Sequence, residues 1–185
     1  MQTQSRKDKP ESKTRKVKGT DKGDKKMRRK DREVTDDYKI DEIIRKCKIC
    51  RIGFYDKGQI YMVPLTFGFA KEDGKRILYF HSAGEGRKVD LVKTSPDVGF
   101  EMDTGYELWE ADEACDFSAG FQSVIGNGKI TMVEEKEEKI YALETLMATS
   151  TGKQDWEFQQ QMLEAVCVFK LVMEELSCKE HLRKN

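Results

Sequence analysis

Residues 81–88, His81-Ser82-Ala83-Gly84-Glu85-Gly86-Arg87-Lys88, hold the densest chemistry in the chain. A strand-like run, Arg76–His81, turns on two glycines into a short helical stretch. Glycines permit close backbone approach, and free N–H groups at a helix start favour an anion. Ser82 adds a hydroxyl, while Arg87 and Lys88 add charge, the arginine as a two-pronged donor to phosphate oxygens. This spacing suits a phosphate dianion; the alternative is a basic turn opening a surface helix. It is not a nucleotide P-loop, because GxxxxGK[ST] is absent. His81 and Ser82 do not form a base–nucleophile pair, since strand neighbours point to opposite faces and no GxSxG elbow is present.

Two further stretches invite chemistry. In Tyr61–Phe67, Pro64 interrupts a strong strand pattern and removes a ladder donor, which strands tolerate at an edge or bulge. Such an edge, with apolar side chains beside exposed backbone groups, could hold a flat heteroaromatic ring; otherwise it is an ordinary edge strand of a core. Cys47-Lys48-Ile49-Cys50 is a CxxC, but the other three cysteines are isolated and the only histidines are His81 and His181. A zinc half-site therefore lacks its second pair, and no metal site is expected. A redox CxxC opens a helix after a strand, whereas this one closes a helix, so two packed thiols are the expectation.

The elements that must position these residues begin near Met27–Asp36. Thr35 or Asp36 can cap a helix to about Cys47, with Ile40, Ile43, Ile44 and Cys47 on one face. Arg51–Tyr55 reads as a strand, Asp56-Lys57-Gly58 as a turn, Gln59–Ala70 as a second strand, and Arg76–His81 as its hairpin partner across Glu72-Asp73-Gly74. Arg87–Lys93 reads as a short helix stopped by Ser95-Pro96. Asp97–Asp103 and Glu107–Ala111 read as strands, and Phe117–Glu134 as a strand pair or one bent strand around Gly126-Asn127-Gly128. A helix follows from the glutamates at 134–138 to about Thr149, with Ile140, Leu143, Leu146 and Met147 as its buried stripe. Asp155 is expected to cap another helix over Trp156–Leu163, and Val166–Leu176 closes as a strand. About six strands in hairpins, without regular crossover helices, indicate a mainly β fold, an antiparallel barrel with peripheral helices.

Charge divides the chain. Its 185 residues carry 34 basic and 34 acidic side chains, yet residues 1–30 hold 13 Lys/Arg against 4 Asp/Glu, leaving residues 31–185 at −9. Residues 1–26 have too little apolar content to fold and read as a disordered basic extension ahead of a domain over 27–185. Without interleaved aromatics the extension reads as solubilising, or as sequence upstream of a start at Met27, rather than as a nucleic-acid arm. No apolar run is long enough to span a membrane, and no secretory signal is visible, so a cytoplasmic protein with reduced thiols is expected.

The ordered set M-R-R-K-D-R-E at 27–33, Y-M-V-P-L-T-F-G-F at 61–69, L-Y-F-H-S-A-G-E-G-R-K at 78–88 and S-V-I-G-N-G-K-I at 123–130 resembles the pyridoxamine-phosphate-oxidase-like flavin-binding family. The likeness runs from about Met27 to Met173 and points to the branch containing nitroimidazole-resistance proteins. It implies a split β-barrel homodimer with FMN at the subunit interface. By position, His81, Ser82, Arg87 and Lys88 would hold the phosphate and ribityl region. Val63, Pro64, Leu65 and Thr66 would line the isoalloxazine, with Ser123, Val124 and Ile125 near the ring or the dimer seam. The implied activity is electron transfer from a nicotinamide or other donor through FMN to a small redox substrate such as a nitro-heteroaromatic; a flavin- or haem-binding protein without turnover is the alternative. The extended substrate-phosphate signature of true pyridoxamine-phosphate oxidases is not recognisable, which disfavours a vitamin B6 substrate.

Overall fold

The structure, a computed structural model, describes residues 27–183. The extension read over residues 1–26 lies outside the described residues. In chain order the elements are β1 (Glu33–Val34), α1 (Asp37–Lys46), β2 (Cys50–Asp56), β3 (Gln59–Leu65), β4 (Gly68–Glu72), β5 (Lys75–Ala83), α2 (Arg87–Thr94), β6 (Asp97–Trp109), β7 (Ser118–Met132), α3 (Lys136–Thr151), α4 (Gln160–Ala165) and β8 (Val166–His181). Asp36 caps α1, accepting a hydrogen bond from the Lys39 amide at 2.7 Å, and Ile40, Ile43 and Ile44 are buried. That helix is pinned to the sheet by charge: Arg76 meets Asp41 at 2.6 Å and Lys71 bridges Asp37 and Asp41.

The eight strands form one antiparallel sheet in the order β3-β2-β6-β7-β8-β5-β4, with β1 added beside β8. Its two end strands, β3 and β4, are separated in sequence by only Thr66 and Phe67. The three steps from Leu65 to Gly68 span at most about 11 Å when extended, so the sheet must curl until its ends meet. The result is a split β-barrel: closed by the chain at Thr66–Phe67, but with no ladder between β3 and β4.

The curl gives the sheet two apolar environments. Phe54, Phe67, Leu78, Phe80, Phe100, Met102 and Phe169 fill the inside with the face of α1. Ala70, Ile77, Tyr79 and Val168 face outward and are covered by Ala142 of α3 together with Val133. Helix α3 sits directly on β4. A Cβ on Gly68 would lie 2.5 Å from the Leu146 backbone nitrogen, and Thr149 Oγ1 accepts a hydrogen bond from the Phe69 amide at 3.2 Å.

Several boundaries differ from the sequence expectation. The run Gln59–Ala70 is two strands, broken at Thr66–Phe67, and its first half pairs back onto β2 rather than forward onto β5. Asp97–Asp103 and Glu107–Ala111 merge into the single strand β6, whose register shifts between Thr104 and Glu107. Residues 118–132 form one strand with an irregularity at Asn127/Gly128, where β8 lies so close that a Cβ on Gly128 would be 2.2 Å from the Val172 carbonyl oxygen. The helix expected over Trp156–Leu163 is instead α4, Gln160–Ala165; Asp155 has φ +62°, a left-handed conformation incompatible with an N-cap role. Glu134 precedes α3 and Glu135 is its N-cap residue, leaving Glu137 and Glu138 in the first turn. Ala142 and Leu146 are the buried residues of α3, while Ile140, Leu143 and Met147 are half-buried. Strand β8 continues to His181, five residues beyond the expected end, because it pairs with β7 from Phe121 to Met132.

Replacing Gly68 by alanine forces α3 off β4. The expected outcome is a loss of about 1–3 kcal/mol in urea unfolding, the usual range for an overpacked contact, and an unchanged midpoint would show that α3 does not seat on this glycine.

Candidate functional site

The site grows from the end of β5 and the start of α2. Leu78 and Phe80 point into the barrel, while Ile77 and Tyr79 point towards α3. Continuing that alternation sends His81 to the α3 side and Ser82 to the barrel side, so these neighbours do not share a face. Ser82 lies opposite Cys167 in the β5–β8 register. Gly86 then begins α2 at φ +113°, a conformation that favours glycine, and no side chain caps the helix. The amides of its first turn are therefore without a side-chain partner. The locality is basic: burial raises the Cys167 pKa, while Lys139, Lys93 and Lys88 oppose that rise electrostatically.

Arg87 does not wave free. Its Nε and Nη2 both reach Asp56 Oδ2, at 2.9 and 2.7 Å, and its guanidinium lies 4.3 Å above the centre of the Tyr61 ring. Tyr61 is half-buried and packs against Phe54, ring centres 6.4 Å apart. The far end of α2 is tied to the same hairpin, since Ser95 Oγ donates to the Tyr55 carbonyl at 3.1 Å. Lys88, next in the helix, is half-buried. Neither Asp56 nor Tyr61 stood out as a ligand-site residue in the sequence. Asp56 reads there as a turn residue, and nothing local signals that it meets Arg87.

Residues 63–66 also divide between two faces. Val63 and Leu65 pack against the barrel core, whereas Pro64 and Thr66 are exposed. Pro64 lies on β3, an end strand of the sheet, opposite Arg51 of β2. Its missing N–H thus falls where the ladder ends. Thr66 and His81 come together at a cavity of about 310 Å³ walled by Leu143, Leu146, Met147, Phe158, Met162, Leu163 and Val166, with Ser150 as a further polar group. No local signal in the sequence indicates that α3 and α4 supply this wall.

Ser123, Val124 and Ile125 lie on β7, away from that cavity. Val124 is buried in the barrel core, Ser123 is half-buried and Ile125 is exposed. Ile125 belongs to an open groove of about 630 Å³ across the outer face of the sheet, with Ile60, Met62, Phe100 and Leu176. Glycines 53, 99 and 126 flatten its floor. Ile60 is 66%, Met62 53% and Ile125 46% exposed, an apolar surface of a kind that marks interaction sites.

The family model described as pyridoxamine 5'-phosphate oxidase matches residues 36–180. Among solved structures, a candidate 5-nitroimidazole antibiotic resistance protein from Bacteroides thetaiotaomicron is 28% identical, with a TM-score of 0.68 over 80% of this chain and 86% of that one. The flavocytochrome Anf3 from Azotobacter vinelandii is 20% identical, with a TM-score of 0.64 over 80% and 68% of the two chains. The FAD and haem binding protein from Mycobacterium smegmatis is 13% identical, with a TM-score of 0.71 over 82% and 74%. At those identities the last two share the fold alone. No curated protein matches the chain.

Cys167 adjoins the candidate ligand Ser82 across the β5–β8 ladder, whereas the CxxC pair belongs to another part of the fold. Cys47 and Cys50 are buried at the end of α1 and the start of β2, and Cys47 Sγ donates to the Ile43 carbonyl at 3.3 Å. Burial pushes Cys47 up to about 12 and Cys178 up to about 11, and raises Cys50 further. A thiol so raised is not a nucleophile near neutrality. Among the described residues, no group of three or more His, Cys, Asp or Glu side chains is placed to hold a metal ion. The native protein at pH 8 should release one equivalent from a disulfide thiol reagent, from exposed Cys115, and five once denatured. Fast reaction of a second thiol would contradict this packing. The raised folded values also fix a sign. Stability is full below the unfolded thiol value of about 9 and falls as pH rises towards 12.

Proposed function

The chain belongs to the pyridoxamine 5'-phosphate oxidase family, and from that premise we propose that it is an FMN-dependent oxidoreductase, taking electrons from a nicotinamide or other donor and passing them to a small heteroaromatic acceptor. One observation carries the reading: the two stretches that hold the candidate chemistry meet in space. Arg87 lies over Tyr61, and His81 shares a cavity with Thr66. In this reading Ser82, Arg87 and Lys88, with the opening amides of α2, take the phosphate. Pro64, Thr66 and the backbone of Val63 and Leu65 take the ring, which suits an end strand with exposed outer positions. FMN, when bound, supplies the hydride and electron chemistry. The chain contributes orientation, a dry wall from α3 and α4, and one imidazole, His81, at the cavity mouth. A volume of about 310 Å³ lies at the small end of ligand pockets and suits a compact ring. The resistance protein from Bacteroides thetaiotaomicron supports a nitroimidazole-like acceptor.

A homodimer completes the reading. The outward residues Ile60, Met62 and Pro64 alternate along β3, so the apolar groove and the flavin edge lie on one strand face. A second copy seated on the groove would cover both, and Ile125 would lie at the seam.

Purified protein is expected to show the visible absorption of bound flavin, or to take up FMN on titration. It should then oxidise NADH or NADPH with nitro-heteroaromatic or quinone acceptors. Protein that is colourless and binds no FMN would sink the reading, and a haem Soret band would replace the cofactor. Uptake of FMN with no turnover against any donor and acceptor pair would favour a binding or sensing protein. For the interface, Met62→Lys combined with Ile125→Glu should turn a sedimenting dimer into a monomer and weaken FMN binding. A wild-type monomer that binds FMN tightly would rule out the shared site.

A further inference from the structure

We propose that Asp56 and Tyr61 are positioning residues that set Arg87 as a fixed fork for the flavin phosphate, and so make the site select a phosphorylated flavin over the bare one. This rests on the FMN reading above. A guanidinium has five N–H donors in one plane. Asp56 Oδ2 occupies the Nε–Nη2 edge, at 2.9 and 2.7 Å, and Tyr61 occupies one face, at 4.3 Å. The second Nη2 hydrogen and the Nη1 hydrogen beside it remain, and these two form the end-on edge that meets two phosphate oxygens at once.

The supports are rigid where they need to be. The Asp56 side chain is only 17% exposed, beneath an arginine that is 52% exposed. Tyr61 is half-buried and packs against Phe54 of the neighbouring strand. The β2–β3 hairpin that carries both also holds the C-terminal end of α2 through Ser95 and Tyr55. The helix and its arginine are thus fixed to one hairpin at two points. A long side chain immobilised before binding loses less freedom when the ligand arrives. Neutralising Asp56 would remove a negative charge near the phosphate, but it would also release the arginine. The fixed geometry makes the second effect the larger.

The test titrates the flavin-free full chain with FMN and with riboflavin, following flavin fluorescence. Wild type should prefer FMN. Asp56→Asn and Tyr61→Leu should each weaken FMN by about five- to tenfold, while riboflavin stays within about twofold. Retained riboflavin binding also shows that each variant is folded. Tyr61→Phe, which keeps the ring, should bind FMN as wild type does. In an Arg87→Ala background, Asp56→Asn should cost nothing more. If Asp56→Asn leaves FMN unchanged or tighter, or weakens both flavins equally, the positioning role is overturned while flavin binding stands. Equal affinity of wild type for the two flavins also overturns it. If wild type takes up neither flavin, it is the FMN reading that fails.

Discussion

Two residues, Thr66 and Phe67, join strands that sit at opposite ends of the sheet. So short a link gives the seven-strand path no choice but to wrap round, and most of the architecture follows. Wrapping creates an inside, filled by Phe67 itself among other aromatics, and an outside that α3 must cover. It leaves β3 with one unladdered edge, where Pro64 does no harm. It also brings the end of β3 beside the end of β5, which is why Thr66 and His81 border one cavity. A continuous strand over residues 59–70 would have produced an open meander with no such meeting.

The zero net charge of the chain conceals an anionic body, and that body bears on any anionic ligand. Residues 31–185 sum to −9, a field that opposes a phosphate at long range. At physiological ionic strength, charges much beyond about 8 Å are screened, so the nearest cations decide. Arg87 is already matched by Asp56. The remaining positive character comes from the lysines grouped near Cys167, namely Lys88, Lys93 and Lys139, and from the uncapped start of α2. Holding an anion here therefore depends on local geometry rather than on a cationic surface.

Much of the fold was legible because it is written in short range. The Asp36 cap, the Ile40–Ile44 face of α1, both tight hairpin turns and the Ser95-Pro96 stop are local signals, and each appears in the structure where the residues indicate. The departures involve partners distant in sequence. Strand β8 runs on to His181 because β7 offers it partners as far as Phe121, although Glu174, Glu175 and Ser177 spoil its apolar pattern. The break in the 59–70 run is dictated by closure, since Thr66 and Phe67, the residues at the break, are themselves strand formers. Asp155 has the right type for a cap, but its left-handed backbone turns the chain away. The candidate site divides likewise. The glycine turn and the basic pair were visible, whereas the Asp56 contact and the α3–α4 wall exist only after folding.

Strand alternation along β5 is the most economical feature of the site. Because successive side chains must face opposite ways, His81 and Ser82 serve two different spaces from adjacent positions. Ser82 turns with Phe80 towards the barrel side, opposite Cys167 and among the lysines. His81 turns with Tyr79 towards the apolar cavity under α3 and α4. A hydroxyl and an imidazole are thereby separated by the thickness of one strand without any loop to position them. Shifting β5 by one residue against β8 would exchange the two environments, burying the imidazole on the barrel side and turning the hydroxyl to the cavity. The long β5–β8 ladder, from Ile77 to Ala83, is what forbids that slip.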